Sequence, residues 1–383
     1  MSAEDVFSFK AKQVNFTQFN IPLQHKTRPM RFEKIIKEKS KLLLPFSWLY
    51  KAGVLLHNKT YHWGLKKSQT FRLPVICVGN LSVGGTGKTP MVEYLLRLLT
   101  PNFSVATISR GYKRKSKGVF ISDQNTTAKE IGDEPMQFFT KFPAAKIVVG
   151  ERRVEAIKEL LDHFPATQVI ILDDAFQHRA VKAGLNILLT EYNNLFTDDY
   201  YLPAGQLRDL KQNYRCAEII IVTKCPPGIS KNEQNRIIQK LNPTPTQLIY
   251  FTTISYRQPY NIFNDFQAPL KTVKNILLLT GIANPQPLID YLTQYDVRIE
   301  TVSFPDHHRF SERDIDKVIE IFKLINDQNK IILTTEKDAM RLKEFDQKLQ
   351  NLPVFAIPVE HQFLFNNEND FNDVILKFIK SKS

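Results

Sequence analysis

Cysteine is scarce, acidic residues are outnumbered, and no apolar run is long and unbroken. The three cysteines, Cys77, Cys216 and Cys225, form neither a Cys-x-x-Cys pair nor an even framework. That excludes a disulfide scaffold and gives no sign of a zinc site. Cys77 lies inside an apolar run and reads as a small core residue, a usage that fits a reducing cytosol. The most apolar stretch, residues 42–56, is interrupted by Pro45 and Lys51, and it falls short of the ~20 residues needed to span a bilayer. No basic segment, apolar core and small-residue cleavage site follow one another at the start, so a secretory signal is not expected. Repeats and low-complexity tracts are missing too, and the 43% hydrophobic content is that of a globular protein. Against 52 Lys and Arg stand 39 Asp and Glu, a net charge of +13. Such an excess implies an anionic partner: nucleic acid, anionic lipid or a phosphorylated substrate. No helicase-type motif accompanies it.

What is present centres on residues 75–89, V-I-C-V-G-N-L-S-V-G-G-T-G-K-T. An apolar strand runs into a glycine-rich turn, and apolar residues at helical spacing (Met91, Tyr94, Leu95, Leu98) follow. Strand, glycine loop, Lys-Thr and helix make a phosphate-binding P-loop over Ser82, Val83, Gly84, Gly85, Thr86, Gly87, Lys88 and Thr89. Glycines let backbone N–H groups turn toward phosphate oxygens, and the helix N-terminus adds its positive end. Lys88 is expected to reach the β/γ-phosphates of ATP, and the Thr89 hydroxyl to ligate Mg²⁺. Ser82 stands where the pattern has its first glycine.

The rest of the chain alternates strand and helix. Buried strands are expected at residues 105–109, 146–149, 169–172, 186–189 and 218–223, then at 275–280, 298–303, 330–334 and 353–357. The fold class is therefore α/β: a P-loop-type, mostly parallel sheet with a second, smaller α/β domain. The 383 residues are enough for two such domains. The expected boundaries are a P-loop core over 71–224, a linker region over 225–270 and a C-terminal α/β domain over 271–383.

Residues 1–29 carry no clear period and are expected to be disordered, and Met30 is expected as a start or alternative start. Residues 30–70 open with Arg31, Lys34, Lys37, Lys39 and Lys41 and then turn apolar and aromatic, with Trp48, Tyr50, Tyr61 and Trp63. A basic flank beside an aromatic, apolar helix reads as an interfacial anchor on an anionic membrane surface. The alternative is a helix packed on the core with a solvated basic face.

Asp173 and Asp174 end an apolar strand and are the expected companions of a P-loop, holding Mg²⁺ at the strand's C-terminal edge. Thr223-Lys224-Cys225-Pro226 sits where a GTPase has T-K-x-D, and its final Pro226 argues against guanine reading. Asp133 and Glu134 precede a helical stretch; Asp133 reads as an N-cap with Pro135 in the first turn, or as a catalytic carboxylate. His307 and His308 lie in a loop before a capping-type helix start, where they can bind metal, act as acid or base, or be solvated. Arg208 offers either a phosphate clamp or a surface salt bridge.

The strings V-G-N-L-S-V-G-G-T-G-K-T-P, S-R-G-Y, G-D-E-P, L-D-D-A-F-Q-H-R, L-P-A-G-Q-L-R, T-G-I-A-N-P, F-x-D-H-H and T-T-E-K-D-A occur in that order between residues 30 and 342. In this the chain resembles the tetraacyldisaccharide 4'-kinases, the lipid A 4'-kinases of Gram-negative bacteria. The resemblance implies transfer of the ATP γ-phosphate to the 4'-hydroxyl of a tetraacylated glucosamine disaccharide 1-phosphate, at the cytoplasmic face of the inner membrane. It implies that Asp133 and a histidine of the D-H-H motif, His307 with His308 as the alternative, activate that hydroxyl. It further implies that Asp173 and Asp174 manage Mg²⁺, that Glu134 lies by the substrate and that Arg208 contacts phosphate. Gln177 is implied in positioning nucleotide or metal. Arg110 and Lys337 match family motifs without an assigned chemistry. The partners expected are this acylated lipid and an anionic membrane, not nucleic acid, with the protein a monomer. A P-loop ATPase switch without a lipid acceptor, and a nucleic-acid-binding ATPase, are the rival readings.

Overall fold

The computed structural model describes residues 42–264 and 266–382. The expectations for residues 1–29, for Met30 and for the basic residues from Arg31 to Lys41 lie outside the described residues.

Strand β1 (Val75–Asn80) is buried along its whole length and lies between β5 (Val169–Asp173) and β6 (Leu185–Glu191), parallel to both. Its alternate residues serve two cores, which is why the stretch is apolar throughout. Ile76 and Val78 face α2 (Lys88–Leu99), whose Met91, Val92, Leu95, Leu96 and Leu99 are buried. Val75 and Cys77 face α5 (Arg153–His163) through Ala156, Ile157 and Leu160. The sheet continues through β2 (Val105–Ser109), β4 (Lys146–Val149) and the short antiparallel β3 (Phe120–Ile121) on one side. On the other side come β7 (Ile219–Thr223) and β8 (Leu248–Tyr256).

Here the domain boundaries differ from expectation. The expected linker region carries α6 (Lys231–Leu241) and β8, both part of the large domain. After the second sheet, β14 (Val359–Phe363) returns to pair antiparallel with β8, and α11 (Glu368–Lys380) buries Phe371, Ile375 and Ile379 in the same core as α2. The smaller domain is thus inserted between β8 and β14. A reading that takes elements in chain order has no signal for such a return, because β14 is short and half-polar. The inserted sheet contains β9 (Tyr260–Asn261), β10 (Asn275–Thr280), β11 (Arg298–Ser303), β12 (Lys330–Thr335) and β13 (Val354–Ile357) in the order β11-β10-β12-β13-β9. α8 (Glu312–Leu324) and α9 (Glu336–Leu342) accompany it.

α1 (Leu44–His62) docks through polar bonds rather than an apolar face. The Ser47 hydroxyl donates to Tyr201 O at 2.9 Å and Tyr50 donates to Arg208 O at 3.1 Å. Phe46, Trp48, Leu49 and Leu56 stay 58–71% exposed. Among the described residues no helix is long and apolar enough to cross a membrane.

Candidate active site

The loop between β1 and α2 has its positive backbone angles at Gly84 (φ 114°) and Gly87 (φ 88°). Ser82 has none; it forms an isolated antiparallel bridge with Leu207, so a side chain fits there and the missing glycine costs nothing. Thr223 donates its hydroxyl to Thr86 O at 2.9 Å, and His361 lies 2.8 Å from Gly87 O. Across planar trans peptides, tying the Thr86 and Gly87 carbonyls aims the Gly87 and Lys88 N–H groups the opposite way, while Val83 N and Thr86 N donate within the protein to Gln206 O and Gly84 O.

Beside the loop, Asn80 at the end of β1 is a hub that sequence reasoning missed. Its Oδ1 accepts from Arg208 Nη2 at 2.7 Å and from Lys88 Nζ at 3.4 Å, while its backbone carbonyl accepts from Gln177 Nε2 at 2.7 Å. Arg208 makes a two-armed bond to Asp174, and Lys88 lies 3.8 Å from the same carboxylate. These cations hold Asp174 below the usual carboxylate range against the opposing effect of burial. Asp173, next to it, goes the other way. Burial first, then Glu134 and Asp174, push its carboxyl up to about 7. A buried carboxylate with like charges around it fits a site for a divalent cation, whose charge would reverse that shift. Thr86 Oγ1 and Asn80 Nδ2 are buried without a partner among the described residues, which suits a polar ligand over the loop. The residues present therefore fit Mg²⁺ and a nucleotide phosphate chain.

The facing wall is assembled from both domains. Gly132, not Asp133, caps α4 (Asp133–Lys141), so the N-cap reading of Asp133 gives way and its carboxylate is free. Asp133 Oδ2 lies 3.4 Å from His307 Nδ1 and 3.5 Å from Arg341 Nε. His307 holds a left-handed backbone (φ 59°) anchored by its N–H to Gly281 O at 3.1 Å. Its Nε2 is 3.0 Å from Lys337 Nζ, and Tyr112 packs edge-on against its ring at 5.1 Å. An ammonium only donates, so Nε2 is the accepting nitrogen and Nδ1 carries the proton toward Asp133. Lys337 Nζ also approaches Glu134 at 3.5 Å. His308 is occupied elsewhere: it stacks on Phe304 and contacts Asp314 Oδ2 at 3.1 Å.

Arg341 belongs to the site and was missed by sequence reasoning, as was the purpose of Lys337. Both lie on α9, at the spacing of neighbouring faces (i, i+4), which is the signal that was available. Two clefts flank the site. One of about 410 Å³ lies along residues 110–117 with Glu151 and is lined by Arg110, Lys113, Arg114, Lys115 and Lys117. The other, about 340 Å³, separates α1 from Gln177, Arg208 and Asp209. No group of three or more His, Cys, Asp or Glu arranged as a metal cage occurs among the described residues.

A profile of the family described as tetraacyldisaccharide-1-P 4'-kinase matches residues 39–380. A tetraacyldisaccharide 4'-kinase of Bacteroides thetaiotaomicron is 44% identical over 357 residues, covering 90% of this chain and 94% of the relative. One from Flavobacterium johnsoniae is 44% identical over 345 residues, covering 89% and 97%. Among solved structures, LpxK from Aquifex aeolicus in complex with ATP superposes with a TM-score of 0.69 at 29% identity, over 89% of this chain and 99% of that one.

Proposed function

The chain belongs to the tetraacyldisaccharide 1-phosphate 4'-kinase family, and from that premise we propose how its residues carry out the transfer. ATP lies with its phosphates over residues 82–89, its β- and γ-oxygens met by loop N–H groups, Lys88 and Arg208. Mg²⁺, which Thr89, Asp173 and Asp174 would hold, supplies neutralisation of the phosphate oxygens. The 4'-hydroxyl oxygen of the acceptor attacks the γ-phosphorus, the bond to the β–γ bridging oxygen breaks, and ADP leaves.

The hydroxyl proton goes to Asp133. Lys337 and Asp133 occupy the two nitrogens of His307, so the remaining Asp133 oxygen is the free acceptor. His307 orients that carboxylate and holds hydrogen-bond charge on it as the proton arrives. Glu134 and Gln177 act beside the reacting groups: Glu134 by the substrate, Gln177 by fixing the end of β1. The observation that carries the proposal is the meeting of Asp133 from the large domain with His307 from the inserted one, beside a P-loop.

The exposed aromatic and apolar face of α1 supports a seat on an anionic membrane surface, where the acylated acceptor resides. That surface would be the cytoplasmic face of the inner membrane, the side on which ATP is available. On that surface the protein is proposed to act as a monomer. The test is transfer of ³²P from γ-labelled ATP to detergent-solubilised disaccharide 1-phosphate. A labelled bisphosphorylated lipid is the expected product. ATP hydrolysis without labelled lipid would leave the ATPase-switch reading in its place.

A further inference from the structure

We propose that His361 is a positioning residue for the phosphate-binding loop, aiming the Lys88 N–H by holding the carbonyl of the same peptide group. The inference rests on the reading of residues 82–89 as a nucleotide site. His361 lies on β14, the strand that returns from the inserted domain, and is 5% exposed. Its Nε2 is 2.8 Å from Gly87 O and its Nδ1 is 2.9 Å from Thr252 Oγ1. A carbonyl only accepts, so Nε2 carries the hydrogen and Nδ1 accepts from the Thr252 hydroxyl. Both ring nitrogens are thereby used, in one tautomer. Burial, aided by the nearby Lys224, holds the imidazole down to about 4, so it is neutral at physiological pH as this pattern requires.

The consequence for the loop follows from peptide geometry. The Gly87–Lys88 peptide is planar and trans, so fixing the direction of its oxygen fixes the Lys88 N–H in the opposite direction. That N–H opens α2, at the helix end where phosphate is bound. Gly87 O also accepts from Met91 N at 3.2 Å, a bond that alone leaves the peptide free to tilt about the helix axis. The imidazole removes that freedom from the side. Gly87 and His361 are matched in shape as well: a Cβ at Gly87 would stand 2.9 Å from His361 Cε1 and Nε2.

The experiment measures ATP dissociation constants by calorimetry on the full chain, together with KM for ATP, KM for the lipid acceptor, kcat and Tm. His361→Phe keeps a ring and loses the donor; it is expected to weaken ATP about tenfold and to raise KM for ATP while KM for the lipid stays level. His361→Gln retains an amide donor and is expected to return ATP affinity to within about threefold of wild type. Folded His361→Phe protein binding ATP as wild type does, or a folded Gln variant no better than Phe, overturns the proposal. Should the Phe variant fail to fold, Thr252→Val decides. It leaves the ring in place and frees its tautomer, so unchanged ATP affinity there overturns the proposal and a loss of about threefold supports it. Wild type that binds no ATP would instead sink the nucleotide-site reading itself.

Discussion

Two strand-to-helix junctions, one in each domain, are built in opposite ways. In the large domain β1 enters α2 through a glycine loop whose helix cap, Gly87, has no side chain. In the inserted domain β12 enters α9 directly, with no loop between Thr335 and Glu336. There the Thr335 hydroxyl accepts from Asp338 N at 3.1 Å and donates to Asp338 Oδ2 at 2.7 Å, and Asp338 in turn accepts from Gly281 N at 3.0 Å. The second helix start bonds the Asp338 N–H to its own Thr335 cap, which closes that end of the helix to an anion. The first has no side-chain cap bond at all. Helix dipoles are common to both; an anion site follows only where the cap is withheld. What the second junction provides instead is a rigid base from which α9 sends Lys337 to His307 and Arg341 to Asp133.

The contrast is broken most severely at Gly87. Gly87→Ala puts a methyl at φ 88° and against His361, and ATP affinity is expected to fall about a hundredfold, read by calorimetry. Thr335→Val at the other junction leaves ATP affinity as it was. It costs about 1–2 kcal/mol of stability in a denaturant titration, so a loss of nucleotide binding there would dissolve the distinction. Between these in effect on turnover, Lys337→Met is expected to lower kcat by about tenfold with KM for ATP unchanged, because His307 loses the donor that fixes its tautomer.

The smallest effect concerns how the two domains are held together. Glu93 on α2 faces Gln137 and Lys141 on α4 and Glu336 on α9, with Lys141 2.5 Å from Glu93 and 2.7 Å from Glu336. Burial, then Glu336, push the Glu93 carboxyl up from 4.5 to about 7, despite Lys141. A raised acid keeps its proton in the folded state after the unfolded chain has lost it. Stability from this group is therefore present below about 4.5 and is lost as pH rises toward about 7. Glu93→Gln is expected to flatten that decline, by roughly 1–2 kcal/mol across the window. Equal slopes of Tm against pH in both proteins would count against the network.

The difference between the junctions also explains what was legible in the sequence. Strand, glycine loop, lysine and helix are contiguous at 75–99, so period and composition alone give the element and its chemistry. Asp173 follows from the same logic, as an acid ending a strand that proves to pair with β1 at Val78. The opposite wall joins residues from separate segments, and there the residues alone left Asp133 between cap and catalyst and the two histidines equal. The fold separates what the residues alone left equal: Gly132 takes the cap, and Phe304 and Asp314 engage His308. Asn80 and His361 had no local signature, since each gains its meaning from a partner far along the chain, and Arg341 had only its i, i+4 spacing from Lys337. The domain boundary failed for the same reason, β14 being recognisable only through β8.

The central claim is that one carboxylate and one imidazole, held by different domains, act as a single acceptor-activating unit. A double-mutant cycle on the rate of lipid phosphorylation, with Asp133→Ala, His307→Ala and the pair, tests it most directly. The account predicts a loss of ~10²–10⁴-fold for Asp133→Ala, a smaller loss for His307→Ala, and a double variant no slower than Asp133→Ala, with ATP affinity intact throughout. Losses that multiply in the double variant would contradict it, because the two side chains would then be acting independently.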